Sequence, residues 1–188
     1  MMLETLIQEF IDKLWKLEDI LTEDDLRCKL FDFLEEKKNI LQWFENYDLH
    51  SEIRRYWDKR PNGYRPLKYR SDLVYINRNE LSDTFKNGYI LPSKWYWFNK
   101  YKWIIELKLR RSNWWKNSDF IDLIKKDFDR LTKIQNNTEW DNSFFYVIVF
   151  DKKENIEQQL TESIIEYSQI WFKLFYKYIP YSYISLNS

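Results

Sequence analysis

Two short apolar segments of this chain carry charged residues where charge is costly. Residues 103–110 read Trp-Ile-Ile-Glu-Leu-Lys-Leu-Arg, and residues 70–76 read Arg-Ser-Asp-Leu-Val-Tyr-Ile. An ionised group among apolar side chains is unfavourable unless it is paired or binds a metal. In a strand, alternate side chains share a face, so Glu106 and Lys108 would project together while the apolar residues between them face the other way. The pattern predicts a rigid surface that carries a charge of each sign.

The elements expected to position these groups alternate between helical and extended patterns. Apolar residues at helical spacing predict the helices, and short apolar runs bounded by turn residues predict the strands. Thr22 and Asp25 form an N-cap pair at the start of the second helix. In chain order we expect helix 2–18, helix 22–45, strand 49–57, strand 69–77, strand 101–110, helix 118–134, strand 144–150 and helix 154–178.

Asp72, Glu106 and Lys108 give the pattern Asp followed by Glu-x-Lys, and on these residues the chain resembles the PD-(D/E)XK nuclease superfamily, the restriction-endonuclease-like phosphodiesterases. Ser71 stands where the family often has Pro. The segment Thr22 to Leu30 resembles the start of the family's first core helix.

A later segment, Lys126 to Leu131, is similar to the Asp-x-x-Arg-Leu pattern of many such nucleases. The resemblance covers roughly residues 20–150. It implies an α/β fold with a restriction-endonuclease-like core, a central mixed β-sheet flanked by helices, and extra N-terminal and C-terminal helices.

The resemblance also implies a Mg²⁺-dependent deoxyribonuclease, with Mn²⁺ able to substitute. Asp72, Glu106 and the carbonyl of Leu107 would be metal ligands. Lys108 would orient or help deprotonate the attacking water, and Glu23, the best candidate among the acids of the second helix, would serve a second metal position or a metal-bound water. Hard oxygen ligands of this kind are those that Mg²⁺ prefers. Glu52 is a candidate for an additional acid.

Structural readings of the same residues remain open. Glu106 and Lys108 could form a same-face ion pair on the solvent side of an edge strand, worth at most about 1 kcal/mol. Acids in the first turn of a helix are favoured by the helix dipole alone. Asp127 and Arg130 fit either a surface pair or a brace for the site. Two further alternatives are a catalytically inactive nucleic-acid-binding protein on the same fold and an aromatic-rich protein-interaction module.

Basic residues abut the two proposed site strands and are candidates for DNA contact, because Lys and Arg side chains follow phosphates. They are Arg54, Arg55, Arg65, Lys68, Arg70, Arg110, Arg111 and Lys116. The aromatic segment from Tyr89 to Trp103 fits either base stacking or a subunit interface. The aromatic C-terminal segment fits a partner subunit, and a homodimer would suit cleavage of both strands of a symmetric site.

Composition restricts the class of protein. The 188 residues suit one domain, spanning 1–188. Lys+Arg and Asp+Glu number 30 each, so attraction to a polyanion must come from local patches. One cysteine and one histidine exclude an intrachain disulfide and a Cys/His zinc cluster. We expect a soluble, cytoplasmic protein without a signal sequence or membrane span.

Overall fold

The computed structural model describes residues 3–14, 22–38, 46–60, 63–77, 101–113, 116–137, 143–167 and 172–180, with the backbone alone at 53–60, 63–70 and 133–137. The described residues form an α/β fold around one mixed sheet. The strands are β1 (Tyr47–Arg60), β2 (Gly63–Asn77), β3 (Tyr101–Arg110), β4 (Phe144–Asp151) and β5 (Phe172–Tyr178). The helices are α1 (Leu3–Lys13), α2 (Glu23–Lys37), α3 (Asn117–Asn137) and α4 (Glu157–Ser163), followed by a 3₁₀ turn at Ile165–Tyr167.

The strands lie in the sheet in chain order, β1-β2-β3-β4-β5. β2 is antiparallel to both of its neighbours, whereas β3, β4 and β5 are mutually parallel. Parallel neighbours need a crossover connection, and α3 supplies it between β3 and β4. β3 is therefore the central strand of five, covered by helices on both faces.

Successive side chains of β3 point to opposite faces of the sheet, and the apolar core therefore consists of two clusters, one on each face. Ile105 and Leu107 pack with α1 and α2 on one face of the sheet. Ile104 packs with Phe128 of α3 on the other. The buried residues of α1 recur at helical spacing, as expected of the first predicted helix: they are Leu3, Leu6, Ile7, Phe10 and Ile11. The predicted class, a mixed sheet flanked by helices, follows from this arrangement.

Most predicted elements are confirmed, with shifted ends. The strand at 101–110 has the predicted bounds, and β4 extends the predicted 144–150 by one residue. β1 and β2 are longer than predicted. The predicted helix 22–45 begins with the expected capping box but ends at Lys37, and residues 39–45 lie outside the described part. In the described part of the chain, no helix is long and apolar enough to cross a bilayer.

The predicted C-terminal helix 154–178 is wrong. Only Glu157–Ser163 is α-helical, and Phe172–Tyr178 is strand β5, parallel to β4. The helical reading rested on apolar residues such as Leu160, Ile164 and Leu174 that recur near one face. In the folded chain the aromatic-rich segment pairs with the open edge of β4, and aromatic residues favour strands when a pleated surface is available to pack against.

Candidate active site

The proposed site lies at the point where the pairing between β2 and β3 ends. Their ladder pairs Leu73 with Ile105, and one residue further along each strand stand Asp72 and Glu106. At this point a carboxylate replaces the backbone partner: Asp72 Oδ2 accepts a hydrogen bond from the Leu107 amide at 2.8 Å. The strand edge is thus opened to side chains while its amide stays satisfied.

A second carboxylate caps the next amide on the same edge of β3. Glu23 Oε2 accepts a hydrogen bond from the Leu109 amide at 3.3 Å. Amides two residues apart on a strand face the same edge, so Asp72 and Glu23 come to neighbouring positions although they lie far apart in the chain. Glu23 is held there because it is the first residue of α2, fixed by the capping box of Thr22 and Asp25.

Glu106 and Lys108 belong to the central strand. Glu106 is 2% exposed, so the pair does not lie on the solvent side of an edge strand, and that alternative is contradicted. Lys108 Nζ donates to the carbonyl of Leu107 at 2.9 Å and lies 3.6 Å from Glu23 Oε1. The ammonium group therefore contacts both a predicted metal ligand and the acid of α2.

Asp127 was not among the predicted catalytic residues, yet it makes a close contact with the site. Its side chain is 2% exposed, and its Oδ2 lies 3.1 Å from Lys108 Nζ. Asp127 Oδ1 accepts a hydrogen bond from Arg130 Nη1 at 3.1 Å. Asp127 and Arg130 were interpreted either as a surface ion pair or as a brace for the site, and these contacts support the brace. The Asp-x-x-Arg-Leu pattern was the signal that pointed to it.

Arg27 is a further site residue that the sequence reasoning missed. Its Nη1 lies 3.1 Å from Glu52 Oε1 and 3.5 Å from Asp72 Oδ1, and its Nη2 lies 2.7 Å from Asp24 Oδ1. The available signal was its position one helical turn after Glu23, on the same face of α2. The guanidinium connects the predicted additional acid Glu52 to Asp72.

The electrostatics of the site are dominated by crowded carboxylates. Burial raises the pKa of Asp72 and of Glu23, although the nearby Lys108 ammonium opposes both shifts. Burial alone would lower the pKa of Lys108, but the carboxylates of Asp127, Glu23, Glu106 and Asp72 together hold it above its usual value. Six acids (Glu23, Asp24, Glu52, Asp72, Glu106 and Asp127) and three cationic side chains (Arg27, Lys108 and Arg130) share this region.

The chemistry of these donors fits a hard divalent cation. Carboxylate and carbonyl oxygens with few protein ligands and several waters are typical of Mg²⁺ sites. Asp72, Glu106 and the Leu107 carbonyl supply such a set, in a region where acids outnumber cations. Among the residues that the structure describes, no group of three or more His, Cys, Asp or Glu side chains is already arranged to hold a metal ion. One of the three proposed ligands, the Leu107 carbonyl, accepts a hydrogen bond from Lys108.

The predicted DNA-contacting residues divide into three groups. Arg110 is fully buried: its Nε donates to Asp151 Oδ1 at 2.9 Å and a second guanidinium nitrogen contacts Asp151 Oδ2, so it joins the ends of β3 and β4 and cannot reach a phosphate. Arg111 is partly exposed and Lys116 is exposed. Five predicted side chains lie outside the part described in full, and only their strand backbone is placed: Arg54, Arg55, Arg65, Lys68 and Arg70.

The aromatic segment from Tyr89 to Trp103 lies outside the described residues up to position 100. Comparison with protein-family models, with curated proteins and with solved structures found no match to this chain.

Proposed function

We propose that this chain is a divalent-metal-dependent endonuclease that hydrolyses phosphodiester bonds of DNA on a restriction-endonuclease-like fold. The observation that carries the proposal is the convergence of Asp72 and Glu23 on neighbouring amides of β3, with the Lys108 ammonium 3.6 Å from Glu23. Such charges are costly to bury, and a metal-dependent site gives a physical reason for keeping them.

The order of elements supports the same proposal. A helix, three strands, a crossover helix and a further strand is the order that the family resemblance implies, and it is the order from α2 to β4. Many α/β folds share parts of this order, so the charged positions carry more weight than the topology.

In this proposal Asp72, Glu106 and the Leu107 carbonyl would hold Mg²⁺. The bound ion would supply a hard Lewis acid for the charge that develops on the phosphoryl oxygens. Surrounded by carboxylates, Lys108 keeps its proton, which suits a donor to a phosphoryl oxygen or to the attacking water. Asp127 would hold the ammonium in position from α3, and Glu23 would accept a hydrogen bond from a water at the ion.

One observation favours a second candidate, a nucleic-acid-binding protein that has lost turnover. The Leu107 carbonyl, a proposed ligand, accepts a hydrogen bond from Lys108. Such a protein would retain DNA without cleaving it. Metal-dependent cleavage therefore separates the two candidates, and salt-sensitive DNA binding separates both from a protein-interaction module.

The test is cleavage of supercoiled plasmid and single-stranded DNA in Mg²⁺, in Mn²⁺ and in EDTA. Asp72→Asn keeps an acceptor for the Leu107 amide while removing the charge, and Lys108→Met removes the ammonium. The matched control is Asp122→Asn, an exposed acid on α3. We expect divalent-dependent nicking by the wild type and by the control, and a loss of at least about a hundredfold in the two site variants.

Folding of each variant is checked by urea unfolding, so that a loss of activity is not a loss of structure. Cleavage that survives both site substitutions would overturn the assigned site. An inactive wild type that still binds DNA would move the binding-protein candidate to the front.

A further inference from the structure

Arg27 lies beside the proposed metal site without being one of its predicted members. Its side chain is 16% exposed, and its Nη1 is 3.5 Å from Oδ1 of Asp72, the proposed ligand. The distance is longer than those to its other two acids, Asp24 and Glu52. The guanidinium is therefore anchored by two carboxylates on its outer side, while its contact with Asp72 is the weakest of the three.

Glu52, one of the two anchors, has an unusual backbone conformation. Its φ angle is 53°, and within the described residues it is the one non-glycine residue with positive φ. Ser51 pairs with Leu73 and Ile53 with Ser71, so Glu52 stands opposite Asp72 in the sheet. A left-handed residue inside a strand costs about 1–3 kcal/mol and persists only where its surroundings require it. Here it directs a carboxylate to Arg27.

A metal ion at Asp72 would compete with Arg27, because both are cations that use the same carboxylate. The contact with Asp72 would weaken, while Asp24 and Glu52 would keep the guanidinium in place. Because the guanidinium lies 3.5 Å from the carboxylate that would ligate the metal, a phosphate on the same ion would lie near it. Its planar fork of N–H donors matches phosphate oxygens better than an ammonium does.

We propose that Arg27 binds the scissile phosphate in the metal-loaded protein. In the metal-free protein, the positive charge of Arg27 partly neutralises the Asp72 carboxylate. The proposal rests on the proposed function and adds a substrate-contacting residue to it. It predicts two effects of opposite sign: removing Arg27 strengthens metal binding and weakens catalysis. A residue that merely stabilised α2 or Asp72 would weaken both.

The first measurement is calorimetric titration of the full chain with Mn²⁺ alone. We compare the wild type with Arg27→Gln, Arg27→Lys and the control Lys29→Gln, which removes the same charge from an exposed position on the same helix. Loss of a cation 3.5 Å from Asp72 should tighten Mn²⁺ binding by about threefold or more. Arg27→Lys keeps the charge and should stay within about twofold of the wild type, as should Lys29→Gln.

The second measurement is the single-turnover cleavage rate at saturating DNA. We expect about a hundredfold loss in Arg27→Gln, a loss of about tenfold in Arg27→Lys, and an unchanged rate in Lys29→Gln. If Arg27→Gln unfolds, Arg27→Lys still carries the test, because it keeps the metal affinity and loses the fork.

The outcomes are distinguishable. Weaker Mn²⁺ binding in Arg27→Gln, or a cleavage rate equal to that of the wild type, would overturn the role of Arg27 and leave the proposed function intact. A wild type that neither binds Mn²⁺ nor cleaves DNA would remove the proposed function, and this inference with it.

Discussion

Lys108 shows how one residue of the central strand depends on side chains from two helices. Its ammonium group is 3.1 Å from Asp127 on α3 and 3.6 Å from Glu23 at the start of α2. Because the lysine side chain is 13% exposed, its charge depends on these carboxylates more than on water. Its position is therefore set by the packing of both helices against β3.

The contact between Lys108 and Asp127 predicts a large effect on stability. Asp127→Asn leaves a mostly buried ammonium without its nearest carboxylate, and breaking a buried pair costs about 3–5 kcal/mol. Urea unfolding should show this decrease in the free energy of unfolding, whereas Asp122→Asn on the same helix should change it by less than about 0.5 kcal/mol. Adding Lys108→Met should recover part of the loss. Equal stability of Asp127→Asn and the wild type would contradict the brace.

Asp72 predicts a dependence of stability on pH. Burial raises its pKa above 3.8 in the folded state, so the folded chain holds this proton more tightly than the unfolded chain. Its contribution to stability is complete below pH 3.8 and is lost as pH rises through the folded pKa. In EDTA, Asp72→Asn should therefore unfold at higher urea than the wild type at neutral pH, and the difference should shrink in acid.

Mg²⁺ should reverse the order of stability, so that the wild type becomes more stable than Asp72→Asn. A ligand that binds only the folded state stabilises it by about 2.7 kcal/mol at a hundred times its Kd. The wild type should gain this stability, and Asp72→Asn should not. An equal gain in both proteins would mean that the ion binds elsewhere.

At the scale of elements, the ends of the parallel strands are joined by a buried ion pair. Arg110 and Asp151 are both fully buried, and they are paired positions of β3 and β4. Arg110 Nη1 also donates to Asn117 Oδ1 at 2.7 Å, and the Tyr176 hydroxyl donates to Asp151 Oδ2 at 3.1 Å. The pair thus connects β3, β4 and β5 to the first turn of α3.

This arrangement predicts that Arg110 matters for stability and not for DNA affinity. Arg110→Met leaves Asp151 buried without its cation and should lower the free energy of unfolding by about 3–5 kcal/mol. Arg111→Met, one residue further along, should have a much smaller effect on unfolding. Filter binding at a temperature where Arg110→Met is folded should give the wild-type affinity for DNA. A selective loss of affinity would restore the original prediction for Arg110.

At the scale of the whole molecule, the balanced charge determines how DNA would be bound. With 30 basic and 30 acidic residues, long-range attraction to a polyanion is weak, and local patches must provide it. The acid-rich site would itself repel phosphates until a cation is bound. Binding should therefore depend on the divalent ion as well as on the flanking basic residues.

The salt dependence of binding measures those flanking contacts. If Arg111 and Lys116 each contact a phosphate, Arg111→Gln and Lys116→Gln should each reduce the slope of log K against log salt by about one. Lys29→Gln, at an exposed position of α2 that is not among the predicted DNA contacts, should leave the slope unchanged. Slopes equal to that of the wild type in both variants would remove these two residues from the interface.

The class of fold and the strand that carries the Glu-x-Lys pair could both be predicted from the amino-acid sequence. Alternation of charged and apolar residues requires a pleated segment, and β3 has the predicted bounds. The same local rule placed Glu106 and Lys108 on one face. The N-cap pair of Thr22 and Asp25 likewise located the start of α2, because a helix cap is made by residues adjacent in the chain.

Which side chains contact one another could not be predicted from local patterns, because these contacts join separate elements of the fold. Arg110 and Lys108 are both basic residues of one strand, yet Arg110 is buried with Asp151, and Lys108 contacts Asp127. The contacts of Arg27 with Glu52 and Asp72, and the pairing of β5 with β4, likewise depend on partners distant in sequence. Local patterns specify what an element is, whereas the packing of elements specifies which charges are paired and which segment completes the sheet.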